Sequence, residues 1–237
     1  DMRHTLWWKC RWANLRKEDD HTITGYKLVQ GWGAERHVYF VAEFSEPLDD
    51  FGIMEGGKRV CYDTKRFRSD CEAWGEDLKF WVRFATRQEQ QVTVRVAISS
   101  VDPAGARGNL HEIDALTFDE VRSRGEQLWE RELSRFTVEG PQRVKETFYT
   151  SAYRCFLSPF LFQDADGRFR EHDKSIGRAE GFTNYTTFSF WDTYRAFHPL
   201  MNLVRADMSA DVANSMLAHY DKSVCPSGRS TATKPGA

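Results

Sequence analysis

Hydrophobic and polar positions alternate in the first half of the chain and recur at helical spacing in the second. Residues 22–29, TITGYKLV, alternate weakly, and 37–45, HVYFVAEFS, form a β-branched and aromatic run that stops at Pro47. Two further runs, DLKFWVRFAT at 77–86 and QQVTVRVAISS at 90–100, predict strands joined by the polar Arg87, Gln88 and Glu89. In the second of these, Val92, Val94, Val96 and Ile98 share one face, while Thr93, Arg95 and Ala97 share the other. Short strands punctuated by Gly and Pro predict an antiparallel β-sandwich or part of one.

After Gly105, Ala106 and Arg107 the period changes. Thr117 followed by Glu120 has the capping-box spacing, and Phe118, Val121, Gly125, Leu128, Leu133 and Phe136 then fall on one helical stripe. Residues 136–141 read as a brief extended link. Pro141 opens a second helix, with Val144, Phe148, Ala152, Phe156 and Phe160 at three-to-four spacing. The turn-rich 163–181 reads as a long loop or hairpin. A third helix is expected from Ser189 or Trp191 to about Val204. A fourth is expected after Ser209, with Val212, Met216, Leu217 and Tyr220 inward. Strands first and helices second predict separate β and α domains rather than one interleaved unit.

Composition narrows the function classes. Apolar residues make up 41% and aromatics 14%, enough for a packed core, and no segment has a disordered composition. The net charge of −2 is spread along the chain without a basic block, so a nucleic-acid footprint is not expected, and a neutral ligand suits such a surface. No apolar run is long enough to span a membrane, and no signal-peptide pattern is visible at the start. The five cysteines, at 10, 61, 71, 155 and 225, have no metal-type spacing. Cys61 and Cys71 can pair across a loop in an oxidising compartment; isolated thiols are the alternative.

The densest chemistry lies in GFTNYTTFSFWDTYRAFHP, residues 181–199. Asp192 and Arg195 are helical neighbours at i,i+3, so an ion pair fixing a helix start is one reading. The other is a sugar subsite. Trp191 would stack on apolar C–H faces, and the carboxylate and guanidinium would address vicinal hydroxyls. Other motifs fall away. DADGRFREHD at 164–173 begins like a calcium loop but lacks its later ligands, so a polar turn is expected. The seven scattered histidines form no HExxH pattern, no serine sits in a GxSxG elbow, and the glycines form no phosphate fingerprint.

Several segments, in order, resemble glycoside hydrolase family 92, the exo-acting, calcium-dependent α-mannosidases. They are VYFVAEFSEP, VTVRVAISSVDPAGARGNL, FYTSAYRCFLSPFLF, GFTNYTTFSFWDTYRAFHPL and VANSMLAHYDKS, and the resemblance covers about residues 20–223. It implies a multidomain β-then-α fold: an N-terminal antiparallel β-sandwich (1–114, start missing), a helical linker (115–140) and the first helices of an (α/α)6 barrel (141–223). It also implies an inverting enzyme of α-1,2 type that releases terminal mannose from N-glycans or mannans, in a periplasmic or secreted setting. By resemblance, Asp192 binds the mannose hydroxyls, with Trp191 and Arg195 shaping or orienting the subsite. Arg195 merely holding Asp192, and Trp191 being core, are the alternatives.

An inverting glycosidase needs an acid and a base roughly 6.5–9.5 Å apart. In the family these lie in a later GNEP-type motif and a later Asp pair followed by Gly, and neither motif occurs in this sequence. The family's calcium contacts come largely from the same region. No catalytic residue and no metal ligand is therefore assigned, and the chain reads as a fragment without turnover; a carbohydrate-binding module is the rival expectation. The tail SVCPSGRSTATKPGA departs from the family's continuation. Reading plausible codons for Val224 onward from the third base of the valine codon gives LPVWSLHSNETWC, so a frameshift is expected to have created residues 224–237.

Overall fold

A computed structural model describes residues 1–3, 9–31, 35–60, 71–186 and 188–222 of the 237-residue chain. The expected frameshift tail and Cys61 lie outside the described residues. The chain divides into two compact units: residues 1–114 with 164–166, and residues 115–163 with 167–237.

The first unit is antiparallel. Its strands are β1 (Lys9–Lys17), β2 (Thr22–Gln30), β3 (Arg36–Phe44), β4 (Asp50–Glu55), β5 (Lys58–Arg59), β6 (Glu72–Gly75), β7 (Leu78–Arg83) and β8 (Val94–Ser99). Five form a sheet in the order β6-β1-β2-β3-β8, and three form a second sheet, β5-β4-β7. The sheets meet over Ala13, Leu15, Ile53, Ala73 and Leu78, with Phe40, Phe51 and Phe80 packed around them. This is the sandwich that the strand-rich half predicts. Gly25 lies opposite Phe40 in the β2–β3 register. A Cβ at Gly25 would fall 2.3 Å from the Phe40 ring and 2.7 Å from the Asn14 carbonyl oxygen, so only hydrogen fits.

The two strands joined by Arg87, Gln88 and Glu89 do not pair with each other. β7 pairs with β4 and β8 pairs with β3, in different sheets. The faces of β8 are also used unexpectedly. Val94, Val96 and Ile98 are exposed, Ile98 by 63%, whereas Ala97 on the other face packs near Val41 and Ala106. A short helix covers that second face: α1 (Pro103–Leu110) starts with Asp102 accepting from the Gly105 N–H at 2.6 Å and with Pro103 in the first turn. Its Ala106 and Leu110 are buried against Val41. The less apolar face of β8 is thus the covered one.

Asp164 is buried in this unit. It accepts from Ser99 Oγ at 2.7 Å and from Asn109 Nδ2 at 2.9 Å, and Asn109 Oδ1 accepts from the Ala165 N–H at 2.7 Å. The first carboxylate of the calcium-like sequence is thus spent on protein donors. Cys71 is disulfide-bonded, which overturns the reading of all five cysteines as isolated thiols; Cys10 and Cys155 are free.

The second unit contains α2 (Phe118–Leu133), α3 (Gln142–Phe156), β9 (Phe160–Leu161), β10 (Arg168–Arg170), β11 (Ile176–Arg178), β12 (Tyr185–Thr186), α4 (Phe190–Thr193), α5 (Phe197–Val204) and α6 (Ala206–Lys222). The capping box forms as read, with Thr117 and Glu120 exchanging hydrogen bonds at the start of α2. α3 stops at Phe156, because Pro159 cannot continue it, and Phe160 is in a strand rather than on the helix. The polar 163–181 region contains the β10–β11 hairpin. The expected third helix is two helices, broken where Ala196 leaves helical geometry at φ −131°. α6 begins at Ala206, four residues before the expected start after Ser209. Val212 is buried with Met201 and Met208, but Leu217 and Tyr220, expected inward, are exposed.

Candidate functional site

The segment 181–199 belongs to the second unit, and its anchor is Asn184. This fully buried residue donates from Nδ2 to the Phe162 carbonyl at 2.8 Å, and its N–H reaches Gln163 Oε1 at 2.7 Å. The adjacent Tyr185 N–H is bonded to Ser215 Oγ of α6 at 2.9 Å. β12 pairs with β9 beside it. A polar run beginning in a loop is thereby tied to two elements before it turns into α4.

The aromatic residues divide into two groups. Phe188 and Phe197 join the core around Met201 and Met208. Phe188 stacks on Phe190 with ring centroids 5.8 Å apart and planes 11° apart. Trp191 is the opposite case, 89% exposed, which removes the core alternative for it within this unit. Asp192 is exposed too. Its Oδ2 accepts from Ser189 Oγ at 2.5 Å, and its N–H donates to the Ser189 carbonyl at 2.9 Å. Ser-x-x-Asp is a helix-start spacing, so the sequence carried a signal for this contact.

Arg195 does not pair with Asp192 in the structure. Its Nε–H donates to Tyr194 Oη at 2.6 Å, and its guanidinium lies 5.4 Å from the Tyr194 ring centroid. The ion-pair reading of i,i+3 spacing fails because α4 ends at Thr193, before Arg195 can complete a helical turn. Two residues that the sequence reading passed over support the segment. Thr193 Oγ1 donates to the Ser189 carbonyl at 3.0 Å and lies 3.0 Å from His198 Nε2. With the hydroxyl proton given to Ser189, the His198 N–H is the donor to Thr193.

The result is an exposed indole, a carboxylate aligned by a serine and a guanidinium aligned by a tyrosine, within five consecutive residues. These are the parts that a polyhydroxylated ring engages: a flat apolar face, an acceptor and a planar donor. Metal chemistry has no such support. Among the described residues, no group of three His, Cys, Asp or Glu side chains is placed to hold a metal ion. The described residues do not fit a calcium site. No helix among the described residues is long and apolar enough to cross a membrane.

The N-terminal domain model of glycosyl hydrolase family 92 matches residues 1–99, and the catalytic domain model of that family matches residues 105–236. The chain belongs to glycosyl hydrolase family 92. The catalytic-domain match runs beyond residue 223, where the resemblance read from sequence ends. The family GH92 alpha-mannosidase BT3965 from Bacteroides thetaiotaomicron is 58% identical, with a TM-score of 0.90 over 94% of this chain and 30% of that one. Its complex with mannoimidazole superposes with a TM-score of 0.89 at the same identity and coverage. The family GH92 inverting mannosidase BT2199 from Bacteroides thetaiotaomicron VPI-5482 is 22% identical, with a TM-score of 0.80 over 90% of this chain and 29% of that one, and shows the fold alone. A comparison with curated proteins gave no match. The chain spans about 30% of the solved relatives it resembles.

Proposed function

We propose that this chain is the sandwich, helical linker (115–140) and opening catalytic-domain helices (141–223) of an inverting α-mannosidase. The parent enzyme releases terminal mannose from N-glycans or mannans, and its linkage preference is of α-1,2 type. The observation that carries this is the 58% identity to BT3965, a family GH92 alpha-mannosidase whose structure is also solved with mannoimidazole. In this reading Asp192 accepts from mannose hydroxyls, Trp191 stacks on the ring, and Arg195 orients the pair. The exposure of Trp191 and the alignment of Asp192 by Ser189 support it. The chain alone carries no turnover, because no residue of it takes the acid or base role. Calcium serves the parent enzyme through residues outside this sequence.

A periplasmic or secreted setting is part of the proposal. The disulfide at Cys71 supports it, since such bonds persist in oxidising compartments. Residues 224–237 are proposed to arise from a frameshift, which sequencing of the gene tests directly. The rival is a carbohydrate-binding module without catalysis.

Calorimetric titration with mannose, together with an aryl α-mannoside assay in calcium, tests the central reading. No turnover is expected, and any weak mannose binding is expected to vanish in Asp192→Ala. Calcium-dependent turnover by this chain would overturn the assignment of the acid and base to other polypeptide. Binding that survives Asp192→Ala would remove that residue from the subsite.

A further inference from the structure

Among the described residues of the second unit, two ionisable side chains face each other through atoms that have no hydrogen-bond partner. Glu171, just after β10, is 8% exposed, and its Oε2 lies 3.9 Å from Nδ1 of His219 on α6. Both atoms are buried and neither has a hydrogen-bond partner. The other ring nitrogen of His219, Nε2, is 3.4 Å from the Tyr185 carbonyl oxygen. A carbonyl only accepts, so Nε2 carries a proton and donates. In the neutral ring, Nδ1 then presents a lone pair to Glu171. An ionised Glu171 would present another. The arrangement is short of one proton.

A metal ion does not supply the missing charge, because no third ligand converges among the described residues. An ion pair, Glu171 carboxylate with His219 imidazolium, is the second possibility. It would place two charges where neither carboxylate Oε2 nor Nδ1 has further donors or acceptors, and such burial costs several kcal/mol per ion, on the order of the attraction regained. The neutral acid donating to the neutral ring satisfies both atoms at once. A closure of about 1 Å brings them to hydrogen-bond distance.

We propose that Glu171 and His219 hold one shared proton, which clips the β10–β11 hairpin to α6 beside Tyr185. The proton sits on Glu171 Oε2 and is donated to Nδ1; no covalent bond changes. His219 is then a positioning residue for the strand that leads into Trp191 and Asp192, because its ring also holds the Tyr185 carbonyl. The surrounding charges are few. Asp173 and the exposed His172 face the pair from the hairpin, and Lys222 faces it from α6. The His172 ring meets His219 edge to face at 5.0 Å, and Phe169 lies 5.9 Å away on the apolar side.

The charge balance agrees with the geometry. Burial raises Glu171 above its ordinary 4.5, opposed by Lys222 and helped by Asp173. Burial lowers His219 below its ordinary 6.5, helped by His172 and opposed by the Tyr185 carbonyl. The Glu171 contribution is fully present below 4.5 and is lost as pH rises through the raised value. The His219 contribution is fully present above 6.5 and is lost as pH falls through the lowered value. Between these values the two slopes oppose each other. The Glu171 limb ends at its raised value, so the clip loosens as pH rises from 4.5 through that value.

Glu171→Gln isolates this limb, since an amide donates to Nδ1 and does not ionise. In hydrogen exchange on the full chain, wild-type protection of the 171–175 turn is expected to fall relative to the variant by up to about tenfold per pH unit as pH rises from 4.5 through the raised Glu171 value. At about pH 5, above the ordinary 4.5 of Glu171 and below the ordinary 6.5 of His219, isotope-edited infrared is expected to show a protonated Glu171, and nitrogen-15 spectra to show His219 neutral with Nε2 protonated. A carboxylate at 171 facing an imidazolium at 219 would overturn the proposal. So would a protection ratio that is flat with pH. The spectra require only the wild-type chain, so they decide the matter even if the variant fails to fold.

Discussion

Replacing Asp164 with alanine tests whether this carboxylate is a structural clasp rather than the first ligand of a calcium loop. The side chain is buried and accepts from Ser99 Oγ at 2.7 Å and Asn109 Nδ2 at 2.9 Å. Hydrogen bonds to a charged group are each worth about 1.5–3 kcal/mol. Part of that is offset by the cost of keeping the carboxylate out of water. Both donors retain a second contact, Ser99 Oγ with the Val101 N–H at 2.9 Å and Asn109 Nδ2 with the Ile98 carbonyl at 2.9 Å, so neither is fully stranded. A net loss of about 3 kcal/mol is expected, which is roughly a hundredfold in an opening equilibrium. Asp164→Asn keeps one acceptor and the volume, and should cost about 1 kcal/mol. Amide exchange read at 99–110 and 164–166 checks this, because those residues share the clasp. Unchanged protection in Asp164→Ala would refute the reasoning. So would a loss of protection that calcium relieves in the wild type alone, because the carboxylate would then be a ligand.

Gly25→Ala places a methyl carbon 2.3 Å from the Phe40 ring and 2.7 Å from a backbone oxygen that cannot move aside, so a loss of about 1–3 kcal/mol is expected in urea denaturation of the sandwich. Acid should loosen the second unit through Glu132, which accepts from Arg135 at 2.8 Å and Arg205 at 2.9 Å. Burial pushes this carboxyl up, but Arg135, Arg205 and Arg131 together bring it below its ordinary 4.5. A lowered carboxyl contributes stability above 4.5 that is lost as pH falls through the lowered value, and Glu132→Gln should flatten that limb in a pH series of thermal melts.

Local rules that act within one or two turns were legible in the chain. Thr117 and Glu120 cap α2 as their spacing requires, whereas the change of period read after Arg107 comes later than the first helix, α1, which already begins at Pro103. The Trp191 to Arg195 segment could be marked as chemistry because rings, a carboxylate and a guanidinium were crowded there. Its internal pairing could not be read, because i,i+3 spacing implies contact only if the helix continues. α4 stops after Thr193, and Tyr194 takes the guanidinium instead.

Sequence alone determined the strands-then-helices order, the start of α2 and the family, since each is encoded by residues close together or by long specific runs. Tertiary structure decided which faces are covered and which distant groups meet. Alternation in β8 shows that Val94, Val96 and Ile98 share a side, but covering a side requires a partner, and α1 packs on the side that carries Ala97. Glu171 and His219 are brought together only by the packing of a hairpin against a helix, and no local pattern encodes that meeting.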